Sequence, residues 1–192
     1  VQKGSDLAKF HIYMNGKNTQ LQPALALAPA LYTMQPSGTL YKSMVETGLS
    51  TAVQSTTWLD QDFNMVFMGA VYAPNHDAKK VDDALIDGVE NSQSFTDAEL
   101  QRIKTITQNT ADTIANDAVA LGSRLSGYAV SSHGQWDQYF KDLQAIQDLK
   151  LNDANQILKQ FLVSSHRISG DIQPTPEDQK KAQQQAASKP AE

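Results

Sequence analysis

The side chains that could hold a metal ion or move a proton are four histidines, and they lie far apart along the chain. A zinc hydrolase needs two histidines one helical turn apart and a carboxylate that activates water, as in H-x-x-E-H. Only His133 has a possible ligand four residues on, Asp137. We expect a solvated His–Asp pair there and assign no metal-binding residue. The four histidines are His11, His76, His133 and His166.

Other kinds of reactive site are also missing from the sequence. There is no cysteine, so disulfides, thiolate nucleophiles and sulfur-ligated metals are excluded. Neither glycine-rich phosphate-binding pattern occurs, and the G-x-S-x-G pattern of hydrolase nucleophiles is absent. We interpret the adjacent residues Ser164, Ser165 and His166 as a loop between a helix and a strand. The sequence therefore predicts no catalytic residue and no cofactor in this chain.

Length and charge narrow the class of protein. The chain has 192 residues, 40% hydrophobic and 19% charged, which is enough for one sizeable core. Its net charge of -5, with no basic run that contains aromatic residues, argues against a nucleic-acid partner. No apolar run reaches the roughly 20 residues of a membrane span. Because the first residue is Val and the first segment is already patterned, we expect the chain to be part of a longer protein.

The first half of the sequence mixes strand and helix patterns. Apolar side chains alternate over Ala8–Met14, which predicts a strand with one buried face. A helix rich in Ala and Leu follows, which Pro29 should kink or shorten, and a second helical stretch ends at Gly48. β-branched residues at 49–59 and an almost continuous apolar run at 62–73 then predict a central hairpin.

The next segment predicts a helix that returns across the sheet. Its apolar side holds Val81 and Leu85 at helical spacing. The carboxylates Asp82, Asp83 and Asp87 fall on what we expect to be the solvated side.

The remaining sequence is mainly helical. Thr96 and Glu99 form a capping box, and apolar residues then recur every three or four positions, which predicts one long helix over about 97–130. A further helix carries Trp136, Tyr139 and Phe140 at a spacing typical of core residues, and another is expected to be capped by Asn152. "RISGDIQP" predicts a closing strand. Residues 1–173 are thus expected to form a single α+β domain, and 174–192 a polar linker or tail.

The order of these elements resembles the second, non-catalytic module in the N-terminal half of the insulinase/pitrilysin family of zinc metallopeptidases. The similarity runs from Phe10 to about Glu177, and "LYKSMVETG" and "RISGDIQPT" are its most specific parts. The resemblance implies an α+β fold like that of mitochondrial processing peptidase, with a mainly antiparallel sheet and helices packed on one face. It also implies that zinc and H-x-x-E-H belong to a catalytic module upstream of this chain.

Two family positions can be matched to this sequence in the helix-to-strand segment. The distal half of the family carries an Arg and a Tyr, seven residues apart, that assist at the scissile carbonyl. The matching positions here are Met44 and Thr51. Neither supplies an equivalent donor, because a thioether cannot donate a hydrogen bond and an aliphatic hydroxyl is less acidic than a phenol. The segment therefore resembles the structural version found in the first half.

The strand after this helix is the one substrate-binding segment that the resemblance implies. In some relatives it anchors the amino-terminal end of a peptide by strand addition, which uses backbone groups and demands little of the side chains. An ordinary sheet strand is the alternative interpretation. The matching residues here are Ala52, Val53, Gln54, Ser55 and Thr56.

The resemblance thus implies a non-catalytic substrate-chamber domain of a zinc metallopeptidase that hydrolyses peptides. Its expected partners are the catalytic module of the same parent protein and a peptide substrate. Two alternatives stay open: a structural or assembly role in a degenerate, inactive family member, and a free-standing peptide-binding module. Since many bacterial relatives are exported, the resemblance suggests the bacterial periplasm as the compartment.

Overall fold

The computed structural model describes residues 7–173 and Thr175, so the predicted tail at 174–192 lies almost entirely outside the described residues. Within them the chain forms one antiparallel sheet in the order β2-β3-β1-β4. Every neighbouring pair is antiparallel, as the resemblance implied. The strands are β1 (Leu7–Gly16), β2 (Ala52–Leu59), β3 (Phe63–Tyr72) and β4 (Arg167–Ile172).

The helices of the described part lie between these strands in the sequence. The first precedes the central hairpin, and the other five lie between the hairpin and β4. They are α1 (Gln22–Thr33), α2 (Ala78–Glu90), α3 (Asp97–Ala115), α4 (Ala118–Ser131), α5 (Gln138–Asp148) and α6 (Leu151–Phe161). Among the described residues no helix is both long and apolar enough to cross a membrane.

One face of the sheet carries the core and the other is open to solvent. Tyr13, Val66 and Met68 point to the helices and are fully buried, because side chains alternate between the two faces of a strand. On the opposite face Ile168 and Ile172 are 57% and 59% exposed. The predicted α+β architecture, with helices on one face of the sheet, is confirmed. We call the open side the outer face of the sheet.

The single long helix expected over about 97–130 is wrong, because the chain breaks between α3 and α4. Asp117 has an extended backbone (φ -118°, ψ 109°), and its carboxylate accepts hydrogen bonds from the N–H groups of Val119 and Ala120. It is therefore the N-cap of a new helix. The capping box at the start of α3 is present as predicted, with Thr96 and Glu99 bonded reciprocally.

Smaller expectations about the helices also need correction. Helix α1 continues four residues beyond Pro29, and α6 begins at Leu151, so Asn152 lies inside its first turn and not at the cap. Trp136 and Phe140 were expected in the core, yet they are 54% and 47% exposed. Their neighbour Tyr139 is buried, as predicted.

The carboxylates of α2 do not all lie on a solvated side. Asp82 turns towards the sheet, where its Oδ1 lies 2.9 Å from Nε2 of the fully buried His11. Asp83 pairs on the surface with Lys79, as expected for a solvated side. Helix α2 thus contacts β1 through a polar pair as well as through its apolar stripe.

Candidate peptide-binding edge of the sheet

Strand β2 forms one edge of the sheet in the described part of the chain. It pairs with β3 alone, in a register that runs from Ala52 opposite Val71 to Leu59 opposite Asn64. An edge strand leaves every second residue with an unpaired backbone N–H and C=O on its free side. The register decides which residues these are.

The hairpin that joins β2 to β3 fixes this pattern. The N–H of Asp60 donates to the carbonyl of Phe63 at 3.0 Å, so the backbone of Asp60 faces β3. Because the direction alternates along an antiparallel strand, Trp58, Thr56 and Gln54 also face β3. Their odd-numbered neighbours face away from the sheet. These outward-facing residues are Val53, Ser55, Thr57 and Leu59.

The other end of β2 agrees with this assignment. The N–H of Thr51 donates to the carbonyl of Val71 at 2.7 Å, although the register pairs Val71 with Ala52. Thr51, just before β2, and Ala52 therefore both lie opposite Val71, as in a β-bulge. Ala52 keeps its backbone towards β3 in this arrangement. Of the five residues predicted to bind a peptide, only Val53 and Ser55 thus have backbone groups available on the free edge.

The side chains of β2 alternate between the outer face of the sheet and the helix side. Gln54, Thr56 and Trp58 are exposed on the outer face, whereas Val53 and Ser55 are half-buried towards the helices. The hydroxyl of Ser55 is buried and has no hydrogen-bond partner among the described residues. Across the described part of the chain, no hydrogen bond from outside the β2–β3 ladder reaches the backbone of Val53 or Ser55. The edge therefore offers backbone groups and few specific side chains.

A groove continues from the end of β2. It consists of two adjoining hollows of 740 and 680 Å³, enclosed by the start of α1 and the end of β2 on one side and by α4 and α5 on the other. Thr57 and Leu59 line it, whereas residues 52–56 do not contribute to its lining in the described structure. We call it the α4 groove. Both hollows are lined by Gln22, Pro23, Leu59, Tyr128, Ser131 and Asp142.

The charged side chains of the α4 groove differ in whether they have a bonding partner. Asp142 accepts a hydrogen bond of 2.7 Å from the Gln138 amide and interacts with the Tyr128 hydroxyl. Burial, and then the negative charge of Asp142, raise the pKa of Tyr128 to about 12, so its phenol stays protonated at neutral pH. Arg124 lines the same hollow and, within the described part of the chain, has no ion pair or hydrogen-bond partner.

Met44 and Thr51, the two positions matched to the family's Arg and Tyr, both make contacts within the domain itself. Met44 is fully buried in the core. The Thr51 hydroxyl donates to the Val71 carbonyl at 3.1 Å. Between them Gly48 has a positive φ of 74° and ends the helical stretch, as its residue type predicted.

The histidines are placed apart in the structure as they are in the sequence. His11 faces Asp82, and His166 contacts the carbonyl of Phe161 through Nδ1 at 2.9 Å. Ser164–His166 form a short 3₁₀ turn before β4, in agreement with their interpretation as a connection. Across residues 7–173 no group of three or more His, Asp or Glu side chains is arranged to hold a metal ion. The described residues do not fit a zinc site.

No protein-family model matches this chain, and no curated protein does. Solved structures do match. The inactive peptidase domain of a "putative zinc protease" from Bordetella parapertussis is 27% identical, with a TM-score of 0.81 over 90% of this chain and 94% of that one. A "putative zinc protease" from Bordetella pertussis is 25% identical, with a TM-score of 0.78 over 88% and 94% of the two chains. The chain is similar to these inactive zinc-protease domains, as expected for an insulinase-like second module.

Another solved structure has the same fold at lower sequence identity. The peptidase M16 inactive domain from Pseudomonas fluorescens is 12% identical, with a TM-score of 0.70 over 89% of this chain but only 42% of that one. The chain therefore shares the fold of inactive peptidase domains. The resemblance in the sequence implied that assignment.

The sequence pointed to strand β2 as a peptide-binding segment but did not predict the groove. Tyr128 falls within the long helix predicted over about 97–130, and Asp142 and Arg124 belong to no recognisable motif. Their common feature is proximity in space between helices that are separate in the sequence. A helix break at Asn116 and Asp117, two residues that favour helix ends, was the one local signal for this arrangement.

Proposed function

We propose that this chain is a non-catalytic wall of the substrate chamber of a zinc metallopeptidase, and that it holds peptides by strand addition to β2. The observation that carries the proposal is the free edge of β2, where Val53 and Ser55 turn their backbone groups outwards. An extended peptide satisfies such groups with its own main chain. The inactive-domain fold supports a role in contact with substrate without chemistry of its own.

Zinc and peptide hydrolysis belong, in this proposal, to a catalytic module of the parent protein. The module would supply the water-activating metal, while this domain binds substrate at a distance from it. If the purified chain alone cleaved peptides in a chelator-sensitive way, the proposal would be wrong.

The outer face of the sheet is the surface to which we assign the catalytic module. Large apolar side chains are exposed there on all four strands, including Trp58 at 49% and Ile168 at 57%. Exposed apolar area of this kind marks a protein–protein contact. The match to 42% of the Pseudomonas fluorescens chain supports the idea that a domain of this fold has a further module beside it.

Strand addition is tested by proline substitution at two neighbouring positions. Ser55→Pro removes an N–H that faces the free edge, so we expect a folded domain that no longer binds extended peptides. Thr56→Pro removes an N–H that bonds to β3, so we expect a destabilised sheet. Peptide binding is measured by fluorescence anisotropy with labelled Thr/Val peptides, and folding by circular dichroism.

A matched peptide control separates backbone pairing from non-specific binding. N-methylation of alternate peptide nitrogens blocks main-chain donors and leaves the side chains unchanged. We expect the methylated peptides to bind markedly less well. Equal binding of methylated and unmethylated peptides, or full binding by a folded Ser55→Pro domain, would contradict strand addition.

Docking of the catalytic module is tested on the outer face. Ile168→Ser should leave the isolated domain folded, because the side chain is already exposed, but should weaken its copurification with the catalytic module of the parent. Val130→Ser, at an 85% exposed position of α4, is the control and should have no effect.

A structural or assembly role in an inactive family member is the second candidate function. The outer face favours it as well, since an apolar sheet surface needs a partner whether or not peptides bind. The two candidates differ in the peptide assay. An assembly subunit would copurify with its partner through the outer face, yet show no binding of extended peptides to β2.

A further inference from the structure

We propose that the α4 groove holds the continuation of a peptide bound along β2, and that Arg124 selects a carboxylate side chain in that peptide. This inference rests on the proposed function, because it requires a peptide on the edge of β2. It adds a second part of the binding surface and a preference for acidic sequences.

The free edge of β2 and the groove meet at Thr57. Val53, Ser55 and Thr57 have their backbone groups on the same side of β2, and Thr57 is also part of the groove lining. A peptide paired with Val53 and Ser55 therefore reaches Thr57 at the next position of the register. From there it enters the space between β2 and α4.

The wall that α4 contributes leaves room for an extended chain. Ala120, Ser123 and Gly127 line the larger hollow at helical spacing. A Cβ built on Gly127 would meet nothing within 4 Å. A hollow of 740 Å³ lies in the range of ligand-binding clefts, and small residues on one wall let a second backbone approach closely.

The charges of the groove favour a carboxylate near Arg124. Asp142 is already engaged by Gln138 and Tyr128, and Lys141 pairs with Asp137 at 2.8 Å. That leaves the guanidinium of Arg124 as a groove cation without an ion pair among the described residues.

The far end of the groove carries the opposite sign. Asp60 lies there, with its carboxylate bonded to the N–H of Gln61. A guanidinium binds a carboxylate through two parallel hydrogen bonds, which gives Arg124 a geometric as well as an electrostatic preference. An acidic side chain is therefore expected at the Arg124 end and not near Asp60.

The test uses labelled Thr/Val peptides that carry one Glu at successive positions, each with a Gln counterpart. We expect one Glu position to bind the full chain about threefold to fivefold more tightly than its Gln counterpart, as for a partly exposed ion pair. Arg124→Gln should abolish this difference. Rising salt should reduce it, because exposed charges are screened.

Arg102→Gln is the matched control, since Arg102 is an exposed arginine of α3 outside the groove lining. It should leave the Glu preference unchanged. If Glu and Gln peptides bind equally while Ser55→Pro still abolishes binding, the inference about Arg124 fails and the proposed function stands. If no peptide binds the unmodified chain, both fail.

Discussion

Nε2 of His11 lies 2.9 Å from Oδ1 of Asp82, and this contact joins the central strand β1 to helix α2. His11 is fully buried, whereas the Asp82 side chain keeps 31% of its surface exposed. With a neutral imidazole, Nε2–H donates to the carboxylate. The other ring nitrogen, Nδ1, is buried without a partner among the described residues. The Asp82 carboxylate is thus the main polar partner of a histidine that has little access to water.

Removal of the Asp82 carboxylate should destabilise the fold. Asp82→Ala leaves both ring nitrogens of His11 without a partner, which we expect to cost about 1–3 kcal/mol in the free energy of unfolding. Asp83→Ala on the same helix is the control. It removes only the exposed Lys79 pair and should change stability by less than about 1 kcal/mol. Urea unfolding followed by circular dichroism measures both, and equal losses would contradict a special role for Asp82.

The same contact predicts how stability changes with pH. Burial lowers the pKa of His11 below its usual 6.5, against the opposing effects of Asp82 and Glu90, while Arg167 lowers it further. A lowered pKa means that the unfolded chain takes up a proton first. His11 therefore contributes stability above about pH 6.5, and this is lost as the pH falls from there towards the folded-state pKa.

Unfolding free energies measured from about pH 7.5 down to about pH 5 test this dependence. We expect His11→Gln to flatten the decline in that window, because Gln does not titrate. His76, His133 and His166 remain in both proteins, so their contribution is common to the two curves. An identical pH dependence in His11→Gln and the unmodified chain would rule out His11 as its source.

A second polar contact holds β4 against the same helix. Glu90 accepts hydrogen bonds from the Tyr13 hydroxyl, at 3.0 Å, and from the Arg167 guanidinium. The Glu90 side chain is only 12% exposed. Arg167→Ala leaves its charge with the phenol alone, so we expect a loss of about 2 kcal/mol, somewhat below that for a fully buried pair.

A double substitution shows whether the loss of stability in Arg167→Ala comes from the unpaired charge of Glu90. In Arg167→Ala combined with Glu90→Gln the neutral amide can still accept from Tyr13, and part of the stability should return. The coupling energy from the double-mutant cycle in urea unfolding is the measurement. If the losses of unfolding free energy in Arg167→Ala and Glu90→Gln simply add in the double variant, Glu90 and Arg167 do not act as a pair.

The fold was predictable from the sequence wherever the decisive pattern was local. The strands β1 and β3 and the capping box at Thr96 each depend on a few neighbouring residues, and each is found where it was expected. The predicted buried face of β1 is wrong, however, because His11 and Tyr13 are the buried residues and Met14, from the alternating apolar set, is 41% exposed. The inward turn of Asp82 was missed, because its cause is His11 on a distant strand. The outward backbone direction of Val53 and Ser55 was equally hidden, since it depends on strand order and register.

The division of the long helix was missed for a different reason. Ile114, Ala118 and Leu121 keep a helical spacing across the break, so periodicity alone does not show it. Asp117 decides the outcome because its carboxylate can bond the N–H groups at the start of α4. Periodicity reports which residues share a face, whereas capping reports where a helix begins, and here the two disagree.

The cap itself can be tested by its removal. Asp117→Ala leaves the N–H groups of Val119 and Ala120 without the carboxylate, and we expect a loss of about 1 kcal/mol. Asp117→Asn should retain most of the stability, since Asn is an equally good N-cap. Thermal and urea unfolding compare the two. If Asn is as harmful as Ala, the contribution of Asp117 does not come from capping.

Two glycines should respond in opposite directions to the same change. At Gly38 an added Cβ would lie 2.5 Å from the backbone oxygen of Tyr32, a contact that no side-chain motion can relieve. Gly38→Ala should therefore destabilise the chain by about 2 kcal/mol or more. At Gly122, inside α4, a Cβ would meet nothing within 4 Å. Gly122→Ala should stabilise by up to about 1 kcal/mol, because Ala favours helix over Gly. Urea unfolding of both variants measures the difference, and a neutral Gly38→Ala would show that the backbone can move away there.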